Sequence, residues 1–218
     1  MILRWICLGC LAAALAACTR QPPPREIGYL PPSTPPGAPR SALVRQPAFL
    51  VWGNVVDRLQ QEEGLAIEEL DEEGQELVVT YHGDPEPYID CGWLVRYDDD
   101  EPLEQIRASS EETRLVGRLD GRRTELVRHL DLEARMRVRL KPDADGSIVS
   151  TDADYRVTKT LRSQAPEEEP RVRHEETVVF ESGGSAAFEK GGTVCQPTGA
   201  LEQRVLDALP RTTVVGSG

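Results

Sequence analysis

Between Thr124 and Leu140 apolar and polar residues alternate. Leu126, Leu130, Leu132, Ala134, Met136, Val138 and Leu140 take the even positions, against His129, Asp131, Glu133, Arg135, Arg137 and Arg139. A period of two over this length predicts a long strand with one dry and one wet face. Val149 to Leu161 repeats the pattern with Val149, Ala153, Tyr155, Val157 and Leu161, and Val172 to Phe180 continues it with Val178 and Phe180. Asp143-Ala144-Asp145-Gly146 predicts a hairpin between the first two, because an Asp-Gly pair suits a turn that needs positive φ. The acidic loop Glu167-Glu168-Glu169-Pro170 connects the second to the third.

Earlier in the chain the period changes. Pro47 suits a first helical turn, and Phe49, Trp52, Val55, Val56 and Leu59 recur at spacings of three and four, which predicts a helix ended by Gly64. Phe49 and Trp52 lie on that stripe and are expected in the core. Strands are predicted from Leu65 to Leu70 and from Glu76 to His82, where Leu77, Val79 and Tyr81 share a face, and again from Tyr88 to Val95. Gly183-Gly184 and Gly191-Gly192 bracket a short strand, and Thr193-Val194-Cys195 follows. Thr198 can cap a final helix with Leu201, Val205, Ala208 and Leu209 on one face before Pro210 stops it. Residues 102 to 122 read as a short helix or an exposed excursion. The sum is an α+β fold, a single domain over residues 46–210 in which an antiparallel sheet of about seven strands is packed by an N-terminal and a C-terminal helix.

Upstream of that domain, Thr19 to Arg40 carries eight prolines in 22 residues and reads as an extended, polyproline-like tether running to about residue 45. Residues 211–218 read as a disordered tail. At the other end one Arg4 precedes an apolar run from Trp5 to Ala17, closed by Leu15-Ala16-Ala17-Cys18. That run is too short to span a bilayer and has the layout of a secretory signal. The Leu-Ala-Ala-Cys stretch resembles the lipobox of bacterial lipoproteins. The resemblance implies cleavage after residue 17 and lipidation of Cys18 on its sulfur and its new amine. Several acyl chains on one residue anchor a protein firmly, since each buried methylene contributes about 0.8 kcal/mol. The family retains in the inner membrane those members with aspartate after the cysteine; Thr19 here implies the outer membrane, periplasmic face.

Loss of residues 1–17 also removes Cys7 and Cys10, so Cys91 and Cys195 are the two cysteines left for the folded part. An oxidising periplasm favours pairing them. Redox and metal roles fit less well, because neither belongs to a CxxC pair and His82, His129 and His174 stand singly. With Arg4 gone from the 25 basic residues, 24 face 37 acidic ones, a net of −13. So acidic a chain repels phosphate backbones, which excludes nucleic acid as a partner.

Residues 51–81, an apolar helix followed by Glu63-Gly64-Leu65-Ala66-Ile67-Glu68, an acidic turn and Leu77-Val78-Val79-Thr80-Tyr81, resemble the opening of BamC-type lipoproteins. The resemblance implies a helix-grip domain and a role beside the machinery that inserts outer-membrane β-barrels. It carries no functional residues across, and the second domain of that family has no counterpart here.

Catalytic signatures fail in detail. His174-Glu175-Glu176-Thr177-Val178 opens like HExxH but has Val178 where the second ligand must stand, on a segment that reads as strand. Gly183-Gly184-Ser185-Ala186-Ala187 misses G-x-S-x-G at its last residue, and Asp98-Asp99-Asp100-Glu101 lacks the alternate spacing of a calcium loop. No metal and no cofactor is implied. The expected function is non-enzymatic: a lipid-anchored scaffold or accessory factor of an envelope assembly. A periplasmic carrier of lipid or small ligand is the alternative, and a hydrolase using acidic residues a second one.

Overall fold

The computed structural model describes residues 27–98, 101–119, 122–164 and 171–209. Two long strands dominate it, β9 (Arg122–Asp143) and β10 (Gly146–Gln164), paired antiparallel from Asp143↔Gly146 to Glu125↔Gln164. Burial follows the predicted period of two: Leu130, Leu132, Ala134, Met136, Val138 and Leu140 are buried, while Asp131 and Glu133 between them are exposed. At the hairpin the Asp145 N–H donates to Asp143 Oδ1 at 3.2 Å. Gly146 has φ +146°, and a Cβ there would lie 2.2 Å from the Val44 carbonyl oxygen, so glycine is demanded twice.

The β9–β10 ribbon is the axis of a seven-stranded antiparallel sheet. On its β10 side lie β2 (Arg40–Val44) near the hairpin and β11 (Arg171–Glu181) farther along. On its β9 side lie β4 (Glu76–Gly83), carrying β3 (Leu65–Asp71) outside it, and then β8 (Glu112–Leu119). Two three-stranded sheets complete the protein. One joins β1 (Ile27–Leu30), β6 (Trp93–Asp98) and β7 (Glu101–Arg107). The other joins β5 (Ile89–Asp90), β13 (Val194–Pro197) and β12 (Ala186–Ala187).

Both helices contribute to one core with the inner sheet face. From α1 (Ala48–Gln61) come Val51, Val55 and Leu59, and from α2 (Ala200–Asp207) Leu201, Val205 and Leu206. These meet Leu77 and Val79 of β4, the even residues of β9, and Val149, Ala153, Tyr155 and Val157 of β10. Gly64, at φ +79°, turns the chain out of α1. Thr198 Oγ1 accepts the Ala200 N–H at 3.2 Å, and Gly199 takes the N-cap position with φ +78°. The opposite face is a lattice of ion pairs. Arg135 meets Glu68 at 3.0 Å, Arg137 meets Glu76 at 2.9 Å, and Arg139 bridges Glu76 and Asp152 at 3.0 and 3.1 Å. Surface pairs of this kind contribute little each; Val78, paired with Arg137 in the sheet, is itself buried.

Four expectations are corrected. Residues 27–44 are not all tether. Pro-rich they are, but β1 pairs with β6 and β2 with β10, and between them the Gly37 N–H donates to the Pro197 carbonyl at 2.7 Å while its carbonyl accepts from Gly183 at 2.6 Å. Residues 101–107 and 112–119 are strands, neither helix nor excursion. The strand expected from Tyr88 to Val95 is broken in two. Gly92, at φ +76°, turns so close beneath β1 that a Cβ would lie 2.1 Å from the Leu30 carbonyl oxygen. Finally, Phe49 is 70% exposed. The buried stripe of α1 runs through Val51, Val55 and Leu59, and at 100° per residue Phe49 stands about 200° from Val51, whereas Trp52 packs half-buried against the core. Residues 1–26, with Cys18, and the tail 211–218 lie outside the described residues. Among those described no helix is long and apolar enough to cross a membrane.

Candidate functional site

Cys91, in the break between β5 and β6, and Cys195 of β13 are both fully buried and stand at disulfide distance, S–S 2.05 Å across a separation of 104 residues. The link ties β13 to the loop that leads into β6, with core on both sides.

The unusual chemistry lies at the end of the β9–β10 ribbon away from the hairpin, where two cations break the apolar face. Arg128 occupies an even position of β9, the register of Leu126 and Leu130, and is 4% exposed. Lys159 occupies the inward register of β10 after Tyr155 and Val157, with a side chain 3% exposed. Neither was singled out by the sequence reading. The signal was available as a charged residue in the dry register of each alternating strand.

Lys159 is well provided for. Its Nζ donates to the Lys190 carbonyl at 2.7 Å, lies 3.4 Å from Glu176 Oε2, and sits 4.0 Å from the centre of the Phe188 ring. Glu176 also takes the backbone N–H of Glu189 and that of Lys190, and stands 3.3 Å from His174 Nε2. The near-miss HExxH segment is therefore a strand, as its pattern predicted. In it His174 and Glu176 point one way and Glu175 the other. Burial pushes the Glu176 carboxyl up, but the Glu189 and Lys190 amides, His174 and the Lys159 charge outweigh it and hold it at about 2. Burial pushes the Lys159 ammonium down, Glu176 pulls it back, and Arg128 adds to the lowering.

A carboxyl held at about 2, against 4.5 in the unfolded chain, binds its proton less readily when folded, so it stabilises the fold above pH 4.5. That contribution disappears as pH falls from 4.5 through 2. In Glu176→Gln the urea midpoint is expected to be lower at neutral pH and to fall less steeply over that window than in the parent. Equal slopes for the two proteins would contradict the pairing.

Arg128 has no such provision. Burial lowers its guanidinium to about 10, with Tyr29 opposing. Its Nη1 and Nη2 are enclosed without a hydrogen-bond partner among the described residues. So is Thr113 Oγ1, on the residue directly opposite it in β8.

Elsewhere, Glu202 of α2 is fully buried, takes the Ser182 hydroxyl on Oε1, and lies beside Tyr155, whose phenol is raised by burial and then by Glu202. A surface depression of about 470 Å³, lined by His82, Asp131, Glu133, Arg156 and Thr158, sits on the wet sheet face. Among the described residues no three His, Cys, Asp or Glu gather where a metal could be held. No family model, curated protein or solved structure matches the chain.

Proposed function

We propose that this chain is a lipid-anchored, non-enzymatic lipoprotein of the bacterial envelope, held at the periplasmic face of the outer membrane through Cys18 and serving as a scaffold or accessory factor of an envelope assembly. The observation that carries the reading is the junction of anchor and fold. β1 begins at Ile27, nine residues beyond Cys18. Nine residues extend at most about 30 Å, so a lipidated Cys18 keeps the β1–β6–β7 sheet within about that distance of the bilayer. A short leash suits a protein that works on membrane-bound partners.

Within this reading the fold is helix-grip-like, with α1 and α2 against one face of the seven-stranded sheet. Phe49 and Leu50, 70% and 48% exposed at the start of α1, give a partner apolar contact at the rim of that grip. The test is affinity purification of the full protein from gently solubilised membranes beside a Cys18→Ala version. Stoichiometric recovery of an envelope complex with the lipidated form alone is the expected result, and recovery of the bare protein from both would overturn it. The carrier alternative draws support from a different observation, the two Arg128 guanidinium nitrogens that have no hydrogen-bond partner among the described residues.

A further inference from the structure

An enclosed guanidinium with two bare nitrogens is among the least tolerated arrangements in a protein, because desolvation is suffered and nothing repays it. This chain had ample means to prevent it, since 37 acidic residues outnumber 25 basic ones. Yet the acids beside Arg128 on the paired strands serve another group. Glu112 and Glu125 both bond to Arg114, at 2.9 and 3.5 Å on the outer face. Glu176 is engaged with Lys159 at 3.4 Å. Lys159 itself repels Arg128. Tyr29, the remaining group with an electrostatic tie to Arg128, has its hydroxyl committed to the Val194 backbone at 2.9 and 3.2 Å.

Thr113 shares this condition. It is 2% exposed, and Oγ1 has no partner among the described residues. Thr113 and Arg128 are directly opposed in the antiparallel β8–β9 pair, so their side chains leave the sheet on the same side with Cβ atoms about 5 Å apart. Three hydrogen-bonding groups with no partner among the described residues therefore stand on one side of one strand pair: two guanidinium N–H edges and one hydroxyl. What satisfies all three is an oxyanion, whose paired oxygens match the guanidinium fork and whose lone pairs can accept the hydroxyl hydrogen.

We propose that Arg128 and Thr113 form the floor of a binding site for an oxyanion, the phosphate or carboxylate group of a ligand received on the inner sheet face. Lys159, fixed by Glu176 and the Lys190 carbonyl, stands beside that floor as a second positive charge. The inference deepens the carrier reading and does not depend on lipidation of Cys18.

The test uses the full mature chain in mild detergent, melted with inorganic phosphate, acetate, dodecyl phosphate or dodecanoate. A probe at a hundredfold its Kd is expected to raise Tm by about 5 to 10 °C. A response to inorganic phosphate or acetate identifies a free anion as the source. A response confined to the tailed probes identifies a lipid headgroup. Arg128→Met is expected to melt higher than the parent without ligand, because it removes an uncompensated charge, and to lose the response. Arg128→Lys keeps the charge without the fork and is expected to bind about tenfold to a hundredfold more weakly. Binding of a tailed probe that Arg128→Lys and Arg128→Met leave unchanged would overturn this site while the carrier reading stood. No response to any of the four probes would overturn both.

Discussion

Replacing Cys91 and Cys195 together by alanine is expected to lower the unfolding free energy by about 4 to 5 kcal/mol. The bond closes a loop of 104 residues, and in the chain-entropy picture so long a closure removes that much freedom from the unfolded chain. The enclosed stretch contains every strand from β6 to β12. Without the link, the short strands β5 and β13 must find one another across all of it with two register pairs between them, Gln196↔Asp90 and Pro197↔Ile89. Both sulfurs are fully buried, so a reductant should reach them only through unfolding. Urea denaturation distinguishes the cases. The oxidised parent is expected to unfold at a clearly higher midpoint than the double variant, and parent refolded in reductant is expected to join the variant. Coincident midpoints for oxidised parent and double variant would show that the bond contributes nothing.

The second large effect concerns register. Leu132→Ala is expected to cost about 2 to 5 kcal/mol, the usual range for emptying a leucine site in a close-packed core, because Leu132 is 1% exposed on the inner face. Its neighbour Glu133 points to the wet side, where it meets Arg156 at 3.6 Å and His82 at 3.7 Å with half its surface in water. Glu133→Ala is expected to stay within about 0.5 kcal/mol of the parent. A one-residue slip of β9 would exchange the two roles. Equal losses for the two variants, measured by urea unfolding, would contradict the register Leu132↔Val157 and Glu133↔Arg156 on which the sheet is built.

The same pair explains what the sequence made legible. Where one face of a strand is dry and the other wet, chemistry alternates residue by residue, and β9 and β10 could be read directly, with their hairpin and both helices. The strands of residues 27–44 could not. Their hydrogen bonds run to partners far along the chain, as from Gly37 to Pro197 and Gly183, and a run of prolines gives no period to read. β7 and β8 are edge strands, β7 bonded to β6 and β8 to β9, with Glu104, Gln105, Glu112 and Arg114 exposed, so nothing local distinguished them from a loop. Phe49 departs from the predicted stripe because a spacing of three fits two neighbouring stripes of a helix, and which stripe is buried depends on the sheet beneath it.

The candidate site shows the complementary case. A residue that violates a pattern carries more information than one that obeys it. Arg128 and Lys159 stand in registers that Leu130, Leu132, Tyr155 and Val157 define as dry. Their two environments then separate them: Lys159 has a carboxylate, a carbonyl and a ring, and among the described residues Arg128 has none of these. The first is a closed structural arrangement, the second an open requirement.

Everything proposed about location and partners depends on the fate of Cys18, so the N-terminus of the mature protein is the measurement that matters most. Mass spectrometry of the N-terminal peptide, taken from protein in the membrane fraction, is predicted to begin at Cys18 and to carry a diacylglyceryl group on the sulfur and an acyl chain on the amine. A peptide that begins elsewhere, or an unmodified Cys18 on protein recovered from the soluble fraction, would contradict the anchored accessory role.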